Sequence, residues 1–254
     1  MRKILVPLAI IVIACFNQSF VAGDGSCATF FPAKQGAQVE LKNYDNKDKL
    51  TGRCVVLITD VATSGSNLTI NIKNTTFDSK DKQLGETKYS AKCENGIFYQ
   101  DMASTITAGQ AFGDRKVTTK VTGDLLEFPS DIKPGMDLKG GVMTVTTSME
   151  NMPTAGPIVS TITFKNRKAV SDTTVTTSAG TFNCIKMVYD ENVKTKMTLL
   201  SSPNNKSMMS SNESSSNLHV ITCYAKNAGA VRTETFDEKG KSMGYCVLSS
   251  ISGN

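Results

Sequence analysis

The chain of 254 residues contains one histidine, His219, and seven cysteines, and any imidazole- or thiol-based chemistry would have to be built around these. One imidazole is too few for the usual zinc ligand sets, and it leaves any Ser-His-Asp or Cys-His arrangement dependent on His219 alone. His219 lies in Leu218-His219-Val220-Ile221-Thr222, a strand-like run, and reads as a strand histidine rather than a general base. Of the cysteines, Cys15 falls within the apolar N-terminus. Cys27, Cys54, Cys93, Cys184, Cys223 and Cys246 are spread along the rest of the chain without a CxxC pair. An even, dispersed set in an exported chain points to disulfides rather than zinc; the spacing does not select a pairing, and burial as free thiols is the alternative.

Other sites are absent or weakly supported. There is no Gly-x-Ser-x-Gly elbow, P-loop, dinucleotide fingerprint or His-Glu-x-x-His helix. Asp45 and Asp48 lack the ligand number and loop glycine of a calcium hand. Met208-Met209 with Met149 and Met152 is too irregular for a thioether copper site. Widely separated carboxylates could in principle serve a hydrolase. The absence of tryptophan counts against a sugar-stacking cleft. No catalytic residue, cofactor or metal ligand is assigned.

Charge and targeting narrow the partners. Lys+Arg 28 against Asp+Glu 23 gives a formal charge of +5, but the lysines are interspersed with acids, so no nucleic-acid footprint is expected. Met1-Arg2-Lys3 followed by the apolar run Ile4 to Ala14 is an export signal, too short to cross a bilayer. Two processing routes fit. Cleavage after Val21-Ala22-Gly23 makes 1–23 a signal peptide, whereas Val12-Ile13-Ala14-Cys15 resembles a lipobox that would end the signal at 14 and lipidate Cys15. No other segment is a candidate transmembrane span. The product is expected in the periplasm, at the cell surface or outside the cell.

The elements that would position such residues are short strands. Val39 to Tyr44, Leu68 to Ile72, Val117 to Val121, Val142 to Val145, Ile158 to Phe164 and Val193 to Leu200 are rich in Val, Ile and Thr, and several alternate apolar with polar residues. One buried face per strand implies a mostly β protein, either one large curved antiparallel sheet or a sandwich, in a single domain over 24–254. One or two short helices are expected at 101–111 and 130–133, the second stopped by Pro134-Gly135. Residues 201–217, rich in Ser and Asn, read as an exposed mobile loop.

The two ends of the chain echo each other. Val39 to Val56 aligns without gaps on Val231 to Leu248, matching Tyr44 with Phe236, Asp45 with Asp237, Gly52 with Gly244 and Cys54 with Cys246. Both read as the same β-hairpin. Asp45 and Asp237 would hydrogen-bond back onto the turn, and Gly240 would take a left-handed position that Asp48 fills in the first copy.

These segments, together with Cys27 to Gly36, Phe128 to Gly135, Ser178 to Lys186 and Tyr224 to Arg232, resemble a family of exported β-rich Bacteroidota proteins of unknown function, the TapB-like proteins. The family's tryptophan ahead of the Tyr-Ala pair is Cys223 here. The resemblance implies a long antiparallel sheet curled into an incomplete barrel, similar to the lipoprotein carriers LolA and LolB, and it brings no catalytic motif. It also implies an O-glycosylation sequon at Asp172-Thr173-Thr174, with Thr173 as the acceptor. The function expected is a non-catalytic envelope protein binding a lipid or other hydrophobic ligand against inward positions such as Ile158, Ile162 and Phe164. A structural or adaptor module binding another envelope protein is the alternative, and a hydrolase with separated carboxylates the third.

Overall fold

The computed structural model describes residues 32–100, 117–149, 155–199 and 210–253. Thirteen strands run in chain order: β1 (Gln38–Tyr44), β2 (Leu50–Ser64), β3 (Asn67–Asp78), β4 (Gln83–Glu94), β5 (Ile97–Gln100), β6 (Val117–Gly123), β7 (Leu126–Pro129), β8 (Gly141–Met149), β9 (Ala155–Thr177), β10 (Gly180–Leu199), β11 (Ser210–Ala225), β12 (Gly229–Asp237) and β13 (Ser242–Ser252). They form one sheet in the order β6-β8-β9-β10-β11-β12-β13-β1-β2-β3-β4-β5-β7. Its ladders are antiparallel throughout. The sheet curls into a half-barrel. Its two outermost strands, β6 and β7, follow one another in the chain with only Asp124 and Leu125 between them, so the curl brings β8 and β5 to either side of one continuous segment.

Alternation explains which residues fill the interior. Along β3 every second residue from Leu68 to Thr76 turns inward, and the same parity in the neighbouring strands brings Ile58, Ile70, Ile72, Phe98, Phe128 and Leu248 to 2% exposure or less. β9, β10 and β11 are much longer than β12. Beyond the Leu218–Asp237 pair β11 is held only by β10, while β9 goes on pairing with β8 and β8 with β6, so these five strands form an arm that continues past the end of β12. At the other end, the β9–β10 hairpin outruns β11 and folds across to β13, where the Ser178 hydroxyl donates to the Ser249 carbonyl at 2.8 Å.

The hairpin echo is present in three copies. Asp45, Asp78 and Asp237 each take the backbone N–H groups two and four residues ahead on one carboxylate oxygen, at 2.7–3.0 Å. The left-handed position is filled by Asp48, Asp81 and Gly240. The third copy, Phe77-Asp78-Ser79-Lys80-Asp81-Lys82 leading to Gly85, is legible in the sequence once the spacing Asp-x-Lys-x-Lys-x-x-Gly is sought. The hairpins β12–β13, β1–β2 and β3–β4 are consecutive in the sheet, so all three turns lie on one rim. Gly244 and Gly52 serve the packing between them: a Cβ on Gly244 would strike the Tyr44 carbonyl, and one on Gly52 the Phe77 carbonyl. Tyr245 then stacks on Tyr44 with ring centroids 5.0 Å apart, and Arg53 lies 3.9 Å over the Phe77 ring.

Two expectations are corrected. Residues 130–133 form turns rather than a helix, with the Ile132 N–H donating to Pro129 and the Met136 N–H to Lys133, because Pro134 interrupts any helical ladder. Residues 210–217 belong to β11: their side chains are polar, but their backbone pairs residue by residue with Asn192 to Leu199, which satisfies the groups a loop would leave to water. The expected helix at 101–111 and residues 201–209 lie outside the described residues.

Candidate functional site

The inner face of the sheet changes character along β10. Met187 is buried in the core; Tyr189, Glu191, Val193 and Met197 follow on the same side. In the ladders Glu191 stands between Phe164 of β9 and Leu218 of β11, and Val193 stands opposite Ile162. Phe164 is 3% exposed and the facing β8 residues Met143, Val145 and Thr147 are buried, whereas Ile158, Ile162, Val193, Met197 and Leu218 are half-buried, with the hydrogen-bonded hydroxyls of Ser160 and Thr195 between the Ile162–Val193 and Ile158–Met197 pairs.

Several ionisable groups sit at the root of this face. A bulge at Asn166, whose φ is +52°, lets both Phe164 and Arg167 point inward. Arg167 is 2% exposed; it donates to the carbonyls of Lys139 at 2.5 Å and Glu127 at 3.2 Å, and its guanidinium lies 4.8 Å over the Phe128 ring. Burial pulls its pKa below the ordinary value. The same cause pushes the Tyr224 hydroxyl up to about 12 and that of Tyr189 well above its usual value. Glu191 has no hydrogen-bond or ion-pair partner among the described residues, and burial alone pushes its carboxyl up to about 7. Composition gave no hint of Arg167, Tyr189 or Glu191; the signal was Glu191, with Thr195, breaking the apolar parity of β10.

A groove of about 800 Å³ is lined by Glu191 and Leu218 together with Lys165, Asp190, Lys194 and His219 of the same strands. Here His219 Nδ1 meets Asp190 Oδ1 at 2.9 Å, and Asn166 donates to the other Asp190 oxygen at 2.7 Å. These hydrogen bonds, that of His219 first, hold the Asp190 carboxyl below its usual pKa. Among the described residues lining the groove there is no Ser, Thr, Cys or Tyr, so the imidazole faces no hydroxyl or thiol to activate. Thr173 lies on β9, half-buried beside exposed Asp172, in a second groove of about 750 Å³ shared with Ser130 and Ile132.

The disulfide expectation fails for four of the six cysteines. Cys54, Cys184, Cys223 and Cys246 are free. Cys54 and Cys246 occupy equivalent hairpin positions on β2 and β13, on either side of β1. Two strand spacings, about 9.5 Å, exceed the reach of a disulfide. Burial raises their thiols to about 11 and about 12. Cys184 and Cys223 sit on adjacent strands two register positions apart, a diagonal that also separates their sulfurs too widely. Cys93 is disulfide-bonded. Cys15 and Cys27 lie outside the described residues. No group of three or more His, Cys, Asp or Glu side chains that could hold a metal ion occurs among the described residues.

A family model described as DUF3108-like matches residues 34–248. Among solved structures, the chain is similar to a protein of Bacteroides fragilis NCTC 9343, described as assumed to be exported and as having a YmcC-like fold, with TM-score 0.70 and 25% identity over 89% of this chain and 100% of that one. It is also similar to a protein of Parabacteroides distasonis ATCC 8503, described as an assumed lipoprotein, with TM-score 0.69 and 22% identity over 89% of this chain and 99% of that one. No curated protein matches.

Proposed function

The chain belongs to the DUF3108-like family, and from that membership we propose that it is an exported, non-catalytic envelope protein whose half-barrel presents an apolar face to a lipid or other hydrophobic ligand. Export is supported by the basic, then apolar, N-terminus and by the descriptions of both similar structures. Processing after Gly23 or lipidation at Cys15 would leave the protein free or membrane-anchored, and the intact mass of the mature chain separates the two. A binding role is supported over His-assisted hydroxyl or thiol catalysis by the surroundings of His219, whose Nδ1 is engaged by Asp190 in a groove lined by no Ser, Thr, Cys or Tyr among the described residues.

The observation that carries the ligand reading is the inner face of the arm. Ile158, Ile162, Val193, Met197 and Leu218 stay half-buried beside the packed side chains of Phe164, Met143 and Val145. Apolar surface left unburied in this way costs free energy that a bound acyl chain would recover, at about 25 cal/mol per Å². The test is native mass spectrometry of protein purified from the envelope, beside an Ile162→Glu/Val193→Glu variant. A co-purifying apolar ligand lost from the variant is expected. Wild-type protein free of any ligand, and taking up none when offered an alkyl amphiphile, would overturn the reading.

The observation favouring a structural or adaptor role is the rim of three like turns, which exposes Lys47 and Lys49, Lys80 and Lys82, and Lys239 and Lys241 at successive hairpins. Crosslinking from these lysines in intact cells would identify a docked envelope protein.

A further inference from the structure

Cys93 is disulfide-bonded, yet Cys54, Cys184, Cys223 and Cys246 are all free. Of the seven cysteines in the chain, that leaves Cys15 and Cys27 to supply its partner. Both processing routes remove the Cys15 thiol: cleavage after Gly23 discards the residue, and lipidation caps its sulfur. Cys27 alone then keeps a thiol for the bridge.

The register of the sheet tests whether this pair is within reach. β1 starts and β4 ends at the rim opposite the three aspartate turns. Gln38 on β1 is level with Leu57, Lys73 and Lys88 on β2, β3 and β4. Cys93 therefore lies three strand spacings across, about 14 Å, and five residues further along β4, about 17 Å. The direct path is roughly 22 Å on a flat sheet and shorter on a curled one, whereas the chain from Cys27 to Gln38 extends to about 36 Å. Burial agrees with reach. Tyr89, Ala91 and Cys93 alternate inward on β4, and Cys93 is 1% exposed. Ahead of β1, Pro32 is fully buried and Ala37 belongs to the same core cluster as Cys93, so the chain leading into β1 occupies the interior into which the Cys93 sulfur points.

We propose that Cys27 and Cys93 form the one disulfide of the mature protein and fasten its N-terminal segment inside the half-barrel. Two thiols give up two protons and two electrons as the S–S bond forms; the oxidant is a protein disulfide of the exported compartment, which is reduced to a dithiol by exchange through a mixed disulfide. Released after Gly23 or anchored through Cys15, the N-terminal end is then held at the rim opposite the three turns. The lysines of those turns stand at the far end of the fold from any lipid anchor.

The experiment is peptide mapping of protein purified from the envelope, with thiols alkylated before digestion and no reductant. Trypsin should release the peptide ending at Lys34 joined to residues 93–115, two hydrogens lighter than the separate peptides and parted by reduction. The bridge closes the long loop from residue 27 to residue 93, so Cys27→Ala should melt roughly 10 °C below wild type. Reductant should lower wild type to the same temperature and leave Cys27→Ala where it is. Recovery of alkylated Cys93, or of Cys93 joined to any other thiol, would overturn the proposal even where the variant does not fold. A Cys27→Ala melt that reductant still lowers would overturn it as well.

Discussion

Replacing Glu191 with Gln should stabilise the protein, and by an amount that depends on pH in a defined way. An unfolded glutamate titrates near 4.5, whereas burial holds Glu191 at about 7 in the folded chain. Below pH 4.5 the carboxyl is protonated in both states and costs nothing. Between 4.5 and 7 the unfolded chain gives up the proton while the folded chain retains it, so stability falls as pH rises; above 7 the loss is complete. At 1.36 kcal/mol per pKa unit the full loss is about 3.4 kcal/mol. Gln carries no such charge. The difference in unfolding free energy between Glu191→Gln and wild type should therefore be near zero at pH 4 and grow to about 3 kcal/mol at pH 8, roughly 6–12 °C in Tm for a domain of this size. Asp190 works in the opposite direction, since its lowered pKa adds stability that is lost only as pH falls below the ordinary carboxylate range, but it is common to both proteins and cancels. Urea unfolding followed by far-UV circular dichroism at several pH values measures the difference directly. Parallel stability curves, offset by the same amount at pH 4 and pH 8, would refute the assignment of Glu191 as a desolvated, unpartnered carboxyl.

Arg167→Met should destabilise by about 3 kcal/mol, because two buried carbonyls lose a charged donor while the side-chain volume is kept; a change under about 1 kcal/mol in urea unfolding would show that the guanidinium ties nothing together. Gly244→Ala should cost about 2 kcal/mol or more, since its Cβ meets the Tyr44 carbonyl at a positive φ, whereas Gly240→Ala, with open space around it, should cost only about 1 kcal/mol; thermal melts of the pair test the hairpin packing. Cys54 and Cys246, half-buried and with raised pKa values, should react slowly with iodoacetamide in the native protein at pH 8. After denaturation without reductant, peptide mapping should find label on Cys54, Cys184, Cys223 and Cys246, and on Cys93 only once reductant is added.

The turns were legible in the sequence because their chemistry is local. An aspartate capping the N–H groups two and four residues ahead needs nothing beyond its own turn, so Asp45 and Asp237 could be read before any fold was known, and Asp78 obeys the same rule. The third copy is less conspicuous because its second strand carries Thr87 where the others carry Cys54 and Cys246; only the aspartate, lysine and glycine spacing survives. Alternation made a mostly β protein legible, as one curved sheet or a sandwich, and the family resemblance implied the half-barrel, but the cysteines were not legible, since whether two of them meet depends on how many strands lie between them, and β1 comes between Cys54 and Cys246. The polar face depends on something less local still. Phe164 and Arg167 are three residues apart, and strict alternation would put them on opposite faces; the bulge at Asn166 is what turns both inward. That single extra residue sends Asn166 outward to Asp190 and Arg167 inward to the β7 carbonyl of Glu127. It thereby supplies a cation to the seam near Phe128 while leaving Glu191, on the neighbouring strand, without one. A chain whose interior had only to be filled would gain stability by placing leucine there. That the position holds a half-buried carboxylate without a partner among the described residues sets a cost to the fold, and the pH dependence of Glu191→Gln measures it.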